Sequence, residues 1–355
     1  MLNDVFFNNP FESSPDKDLE EKQIQEIEDL TIQLLKKRYV DQNKPVLRGV
    51  HPKSHGCVNA SFEVLPGIDK SLQVGMFAHP ATYEAVIRYS NASTVVAPDL
   101  AGGQNGSRGM AIKVRNVEGK VLQDDSGWNS QDFLMINTPS FAFVNVGDYL
   151  RLNQILFKFD DSPAPFFAPL QAPPPTDPEK LAEFGRVAAS FKVLQQIQAK
   201  PVANPLEISY FGGAPYLFGK DRCMHFSAVP QDGEKPQPVP ENPSPDYLRD
   251  ALQKTMAGKA DIVYDFRVQV RKAGEPDLFI EDATKSWDPQ QHPPQTVARV
   301  TIPAPQTGLD TPEHLQECEE LVYTPWHTLA EYQPLGSINR LRYAIYRKSS
   351  EFRRR

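Results

Sequence analysis

The chain has only three cysteines in 355 residues, no apolar run long enough to cross a bilayer, and no surplus of positive charge. Each shortage excludes something. Cys57, Cys223 and Cys318 are odd in number and widely separated, which argues against a disulfide framework or a zinc site and fits a reducing cytoplasm. A spanning helix needs roughly 18 consecutive apolar residues, and none is present. The first residues, Met1-Leu-Asn-Asp-Val-Phe-Phe-Asn-Asn-Pro, place acid and amide where a signal peptide needs a basic start and a longer apolar core. A net charge of −7 speaks against a nucleic-acid surface, with Arg353-Arg-Arg as a local exception. There is no internal repeat and no glycine-rich nicotinamide or flavin fingerprint.

What is present is strand-rich. Residues 1–17 read as a loose arm, followed by a helix over Asp18–Tyr39, where Ile24, Ile27, Leu30 and Leu34 fall at helical spacing. Strand-like runs follow at Ala60–Leu65, Ala85–Ser90, Gly109–Val114 and Asp132–Asn137, separated by turn-forming segments such as Ala101-Gly-Gly-Gln-Asn-Gly. A Pro-rich surface loop over 160–177 precedes a helix over 178–198. Strand signals return at Arg222–Val229, Ile262–Val270 and Val297–Ile302, with a short helix over Asp246–Met256. No composition shift marks a boundary within 18–355, so one domain is expected there. Many strands, few helices and 33 prolines predict an α+β, β-rich chain: a closed antiparallel barrel with peripheral helices.

The chemistry concentrates in two places. In Leu335-Gly-Ser-Ile-Asn-Arg-Leu-Arg-Tyr-Ala-Ile-Tyr-Arg-Lys, Arg342 and Tyr346 are four residues apart, on one face of a helix. A permanent cation beside a phenol favours phenolate, a hard anionic ligand suited to ferric iron. Taken alone, Arg-x-x-x-Tyr is an ordinary surface contact. The front half of the chain carries Leu47-Arg-Gly-Val-His-Pro-Lys, Phe62-Glu-Val, Ile87-Arg-Tyr-Ser, Arg108-Gly-Met-Ala-Ile-Lys-Val and Asp132-Phe-Leu-Met-Ile-Asn-Thr-Pro. In this order, and with the terminal Arg-x-x-x-Tyr, the segments resemble the catalase core over roughly 45–150 and 335–353. The chain is similar to the small catalase-related haemoproteins.

That resemblance implies a haem b with ferric iron, held non-covalently, since no Cys-x-x-Cys-His motif occurs. It implies Tyr346 as the axial ligand and Arg342 as its charge partner on a C-terminal helix, with Tyr343 and Arg340 as the rival register. It implies His51 as the distal acid–base group, oriented by Ser90, with His55 as the rival. Arg48, Arg88 and Arg353 match the positions that hold the haem propionates, although Arg354 and Arg355 could replace Arg353. Val50 matches catalase, whereas the coral allene oxide synthases carry Thr there. The main departure is Ile136, which stands where catalases place the first Asn of Asn-Asn-Thr-Pro; Asn137 could serve instead only if a bulge shifted the register.

An isoleucine over the iron removes a polar donor for hydrogen peroxide and adds apolar surface suited to a carbon chain. The expected activity is therefore rearrangement or cleavage of a polyunsaturated fatty-acid hydroperoxide without external reductant, as in catalase-related allene oxide synthases and hydroperoxide lyases. A small catalase or haem peroxidase is the alternative, and a haem-binding or sensing protein the third. A lipoxygenase domain or partner, and a homodimer exchanging the N-terminal helix, belong to the same expectation.

Overall fold

The computed structural model describes residues 4–123, 127–235 and 237–354. Nine antiparallel strands make up its sheet: β1 (Ser54–Val64), β2 (Ala81–Asn91), β3 (Arg108–Val114), β4 (Gln131–Ile136), β5 (Tyr210–Phe211), β6 (Tyr216–Leu217), β7 (Arg222–Pro230), β8 (Ile262–Lys272) and β9 (Gln295–Ile302). Their order is β5-β4-β3-β2-β1-β9-β8-β7-β6, and an additional β5–β7 pairing closes eight strands into a barrel, leaving β6 attached to β7. The sheet is the closed antiparallel barrel that the strand pattern predicts.

Alternation along each strand decides what the wall does. Ala85, Ile87 and Tyr89 of β2 point into the barrel, as do Met110, Ile112 and Val114 of β3 and Phe133 and Met135 of β4. Phe62, Phe133, Phe226 and Phe266 interlock at its centre; the Phe133 and Phe266 rings lie 4.6 Å apart. Full burial of each such side chain contributes on the order of 1.5–3 kcal/mol. The interior is therefore a packed plug, and any reaction site must lie outside the wall.

Six helices cover parts of that outside: α1 (Lys17–Arg38), α2 (Val146–Lys158), α3 (Pro178–Gln198), α4 (Tyr247–Met256), α5 (Pro312–Glu320) and α6 (Ser337–Arg353). The Asp16 carboxylate caps α1 by accepting from the Leu19 amide at 2.9 Å. Ile24 and Ile27 of α1 bury against Val146 and Leu150 of α2 and Leu341 and Ile345 of α6. Entry into α6 requires Gly336: its φ is 83°, and a Cβ there would meet the Ile280 carbonyl oxygen at 2.5 Å. No helix among the described residues is long and apolar enough to cross a membrane.

Two expectations need correction. The N-terminal arm is not loose over its described part. Phe6 and Phe11 are buried, the Phe6 ring meets Trp326 and Tyr343 edge-on at 5.0 and 5.4 Å, and Glu12 pairs with Arg340. Aromatic anchors with no periodicity gave no sign of docking; Met1, Leu2 and Asn3 lie outside the described residues. The cysteines are not all free either. Cys57 on the outer face of β1 forms a disulfide with Cys318 of α5, with Cα atoms 5.7 Å apart. A separation of 261 residues hid the pair, and only Cys223 is a free, buried thiol. The reason the cysteines gave for a reducing compartment is thereby removed.

Candidate active site

On the outer face of the wall the register lines up three residues. Ser90 of β2 sits opposite Gly109 of β3, and Gly109 sits opposite Ile136 of β4. Because Ile87, Tyr89, Met110, Phe133 and Met135 face inward, Ser90 and Ile136 face out and flank the bare Gly109. His51, in the loop before β1, lies over this row. Its Nδ1 is 2.9 Å from Ser90 Oγ, and a Cβ on Gly109 would come within 2.5 Å of that nitrogen. Only glycine leaves room for the ring.

His51 is held in an uncommon backbone conformation, φ 56°. A non-glycine residue in the left-handed region carries strain that its surroundings must outweigh. Here the His51 amide donates to Ser93 O at 2.8 Å, and Arg88 Nη2 donates to the His51 carbonyl at 2.9 Å. Burial first, then the charges of Arg88, Arg342 and Arg48, push its pKa down to about 3. A shift in that direction favours the neutral imidazole.

The amide of Gly49, two residues before His51, donates to Ser349 Oγ of α6 at 3.2 Å, so α6 brings the C-terminal half of the site to the front half. The Arg342 guanidinium lies 5.3 Å from the Tyr346 ring centroid and donates to Asn339 Oδ1 at 3.0 Å. Burial alone would lower its pKa, but the phenols of Tyr346 and Tyr216 outweigh burial and raise it. Asn339 is itself fixed, donating through Nδ2 to Pro215 O at 3.0 Å and Leu335 O at 2.9 Å. The rival register is engaged elsewhere: Tyr343 meets Phe6 and Trp326 edge-to-face, and Arg340 is buried among Glu12, Glu20 and Glu281.

Arg48, Arg88 and Arg353 converge from three parts of the chain, and they meet on Glu319 of α5. Its carboxylate lies 2.5 Å from Arg48 Nη1, 3.6 Å from Arg88 Nη2 and 3.3 Å from Arg353 Nη1. Burial, then Arg48, lowers the Arg88 pKa to about 9. Burial, then Arg48 again, lowers that of Arg353 to about 10. The buried Nε of Arg88 has no hydrogen-bond partner. Arg354 instead turns back onto Ser350 O, and Arg355 lies outside the described residues. Val50 is a half-buried loop residue between Gly49, whose amide donates to Ser349 Oγ of α6 at 3.2 Å, and His51.

Two alternatives are separated by geometry. Asn137 does not share the Ser90–Ile136 face: its Oδ1 accepts from the Arg108 amide at 2.8 Å and from Ser107 Oγ at 3.2 Å, capping β3. His55 is buried in another network, with Nε2 3.0 Å from Asn91 Oδ1 and Asp99 close by. Residues that motif reading passed over are Gly109, Asn339 and Glu319. Gly109 was visible in Arg108-Gly109-Met110, whereas Glu319, in an acidic run among Glu317, Glu319 and Glu320, gave no signal.

No protein-family model matches this chain, and no curated protein matches it. Solved structures do. Catalase A from Saccharomyces cerevisiae superposes with a TM-score of 0.66 at 16% identity, covering 88% of this chain and 62% of that one. A fungal catalase gives 0.66 at 16% identity, covering 88% and 61%. A bacterial catalase gives 0.64 at 14%, covering 91% and 60%. The chain thus has a catalase-like fold and spans about three-fifths of the length of these catalases.

Proposed function

We propose that the chain binds a ferric haem b and uses it to transform an organic hydroperoxide, with polyunsaturated fatty-acid hydroperoxides as the substrate class. The observation that carries this reading is the pairing of a neutral His51 with Ile136 across Gly109. One side of Gly109 offers proton transfer and the other offers hydrocarbon.

The residues present fit such a group. Tyr346 supplies an oxygen donor, with the Arg342 guanidinium 5.3 Å from its ring. Arg48, Arg88 and Arg353 supply donors for two carboxylates, and the unpartnered Arg88 Nε wants an acceptor of that kind. When bound, haem would supply the redox-active iron that peroxide chemistry needs.

The chain's own residues do the rest. With its proton on Nδ1, His51 donates to Ser90 Oγ, which leaves Nε2 free to take the hydroperoxide proton and return it to the leaving oxygen. Ile136 offers no hydrogen bond to a peroxide oxygen, keeps water out, and packs against the substrate's carbon chain. A cleft of about 510 Å³ adjoins the same loop, lined by Tyr39, Pro45, Leu47, Val95 and Val96 with Lys44 among them. Rearrangement within the substrate is redox-neutral and needs no external reductant. A lipoxygenase is the enzyme class that would supply such a hydroperoxide.

A second reading, a small peroxidase or catalase, draws on the His51–Ser90 pair, which serves hydrogen peroxide equally well, and on Val50. The deciding assay compares hydrogen peroxide with an 18-carbon fatty-acid hydroperoxide, without reductant, on haem-loaded protein. Conversion of the lipid to an isomeric epoxide, an allene oxide or a cleaved aldehyde supports the first reading. Oxygen evolution with the lipid left intact overturns it in favour of the second.

A further inference from the structure

The arginine cradle already holds a carboxylate of the chain's own. Glu319 faces Arg48, Arg88 and Arg353, three guanidiniums that are each largely shielded from solvent. Three cations gathered with little water repel one another unless an anion joins them, and Glu319 is that anion. Arg353 Nη1 also donates to the Glu319 carbonyl, and Arg48 Nη1 reaches the same oxygen at 3.1 Å. The residue is therefore gripped at both its side chain and its main chain.

Its position is also fixed covalently. Cys318, its chain neighbour, is bonded to Cys57, and Cys57 sits directly opposite Arg88 in the β1–β2 ladder. The disulfide therefore anchors α5 above the arginine that has an unpartnered Nε.

We propose that Glu319 is an internal competitor for the arginine cradle, which a carboxylate-bearing cofactor must displace, and that the Cys57–Cys318 disulfide keeps it in place. This rests on the haem reading above. An incoming pair of propionates and the Glu319 carboxylate compete for the same donors, so the affinity measured is the intrinsic one reduced by the fraction of time the cradle is free. Opening the disulfide lowers the local concentration of Glu319 and raises that fraction. A dithiol reductant balances the step: it gives up two electrons and two protons and closes its own disulfide, while Cys57 and Cys318 become thiols.

The test titrates haem, and separately haem dimethyl ester, into the full chain and into Glu319→Gln, Cys318→Ser and the double variant. Binding is followed by absorption and by exchange against a haem scavenger. If Glu319 fills the cradle about nine-tenths of the time, Glu319→Gln lowers the haem Kd by roughly tenfold. Cys318→Ser lowers it in the same direction, the double variant gains nothing over Glu319→Gln, and the dimethyl ester, lacking free carboxylates, distinguishes none of them. An unchanged or raised haem Kd in Glu319→Gln overturns the competition and makes Glu319 a support for the arginines. A gain in Glu319→Gln without one in Cys318→Ser overturns the tether alone. Failure of all four proteins to bind either porphyrin removes the haem reading itself.

Discussion

The His51 imidazole rests on the bare α-carbon of Gly109, with room for nothing between them: a Cβ there would stand 2.5 Å from Nδ1 and 2.9 Å from Ser90 Oγ. Such contacts cannot be relieved by a flexible chain end, because the ring nitrogen and the hydroxyl are tied to each other by a 2.9 Å hydrogen bond. Gly109→Ala should therefore displace His51 while leaving the barrel intact. Misplacing a catalytic group by about 1 Å costs on the order of a hundredfold in rate. The expected result is a loss of that size in kcat with normal haem uptake and an unchanged circular-dichroism spectrum. Wild-type turnover in Gly109→Ala would remove His51 from the mechanism.

Tyr346 makes a prediction that does not depend on which peroxide is the substrate. Tyr346→Phe deletes one oxygen from a half-buried ring and should alter stability by no more than about 1 kcal/mol. The haem-loaded variant should nonetheless lose the optical signature of a tyrosinate-ligated high-spin haem, or fail to retain haem. A spectrum identical to that of the parent would eliminate Tyr346 as the ligand.

The barrel was legible because its strands are strand-forming runs bounded by turn-forming segments, and β7, β8 and β9 were visible on that basis. The C-terminal helix was legible through its charged and aromatic spacing. What stayed hidden depends on proximity across the fold. The Phe6–Trp326 contact, the Cys57–Cys318 bond and the Glu319–arginine cluster each join residues more than 230 positions apart. The exception is Glu319–Arg353, which closes a gap of only 34 residues and still carries no pattern. The two-residue strands β5 and β6 were missed because a period needs more length than they have. Ile136 was legible as a departure, but its side of the wall required the Gly109 register.

A half-buried histidine outside the site weakens the fold in acid. His225 Nδ1 lies 3.1 Å from Gly212 O, and its ring meets Trp287 at 4.2 Å. Burial pushes its pKa down to about 4, against the smaller opposing pull of the Gly212 carbonyl. The unfolded chain therefore takes up the proton more readily than the folded one. This contribution to stability is intact above about pH 6.5 and is lost as pH falls towards 4, a change of about 2 kcal/mol by pH 4.5. His51 and His55 are depressed in the same direction, to about 3 and about 4. His225→Gln, which keeps an N–H for Gly212 O, should flatten the fall in denaturation midpoint between pH 7 and 4.5 without abolishing it. An equally steep fall in the variant would show that His225 does not titrate with unfolding.

Under the proposed function, Ile136 is the residue that decides substrate class. Its side chain leaves the wall on the same side as Ser90, one strand beyond the glycine on which His51 rests. Ile136→Asn would place an amide donor where the parent has only hydrocarbon. A hydrogen bond to a peroxide oxygen that strengthens as the O–O bond breaks contributes a few kcal/mol, so hydrogen peroxide consumption should rise by about tenfold or more. Turnover of the lipid hydroperoxide should fall at the same time, through a higher KM, because apolar surface is exchanged for a hydrated amide. The two activities must move in opposite directions for the proposal to stand. If both fall together, the asparagine has merely disturbed the wall; if neither moves, residue 136 does not contact the bound peroxide, and substrate preference must be sought in the cleft beside Leu47.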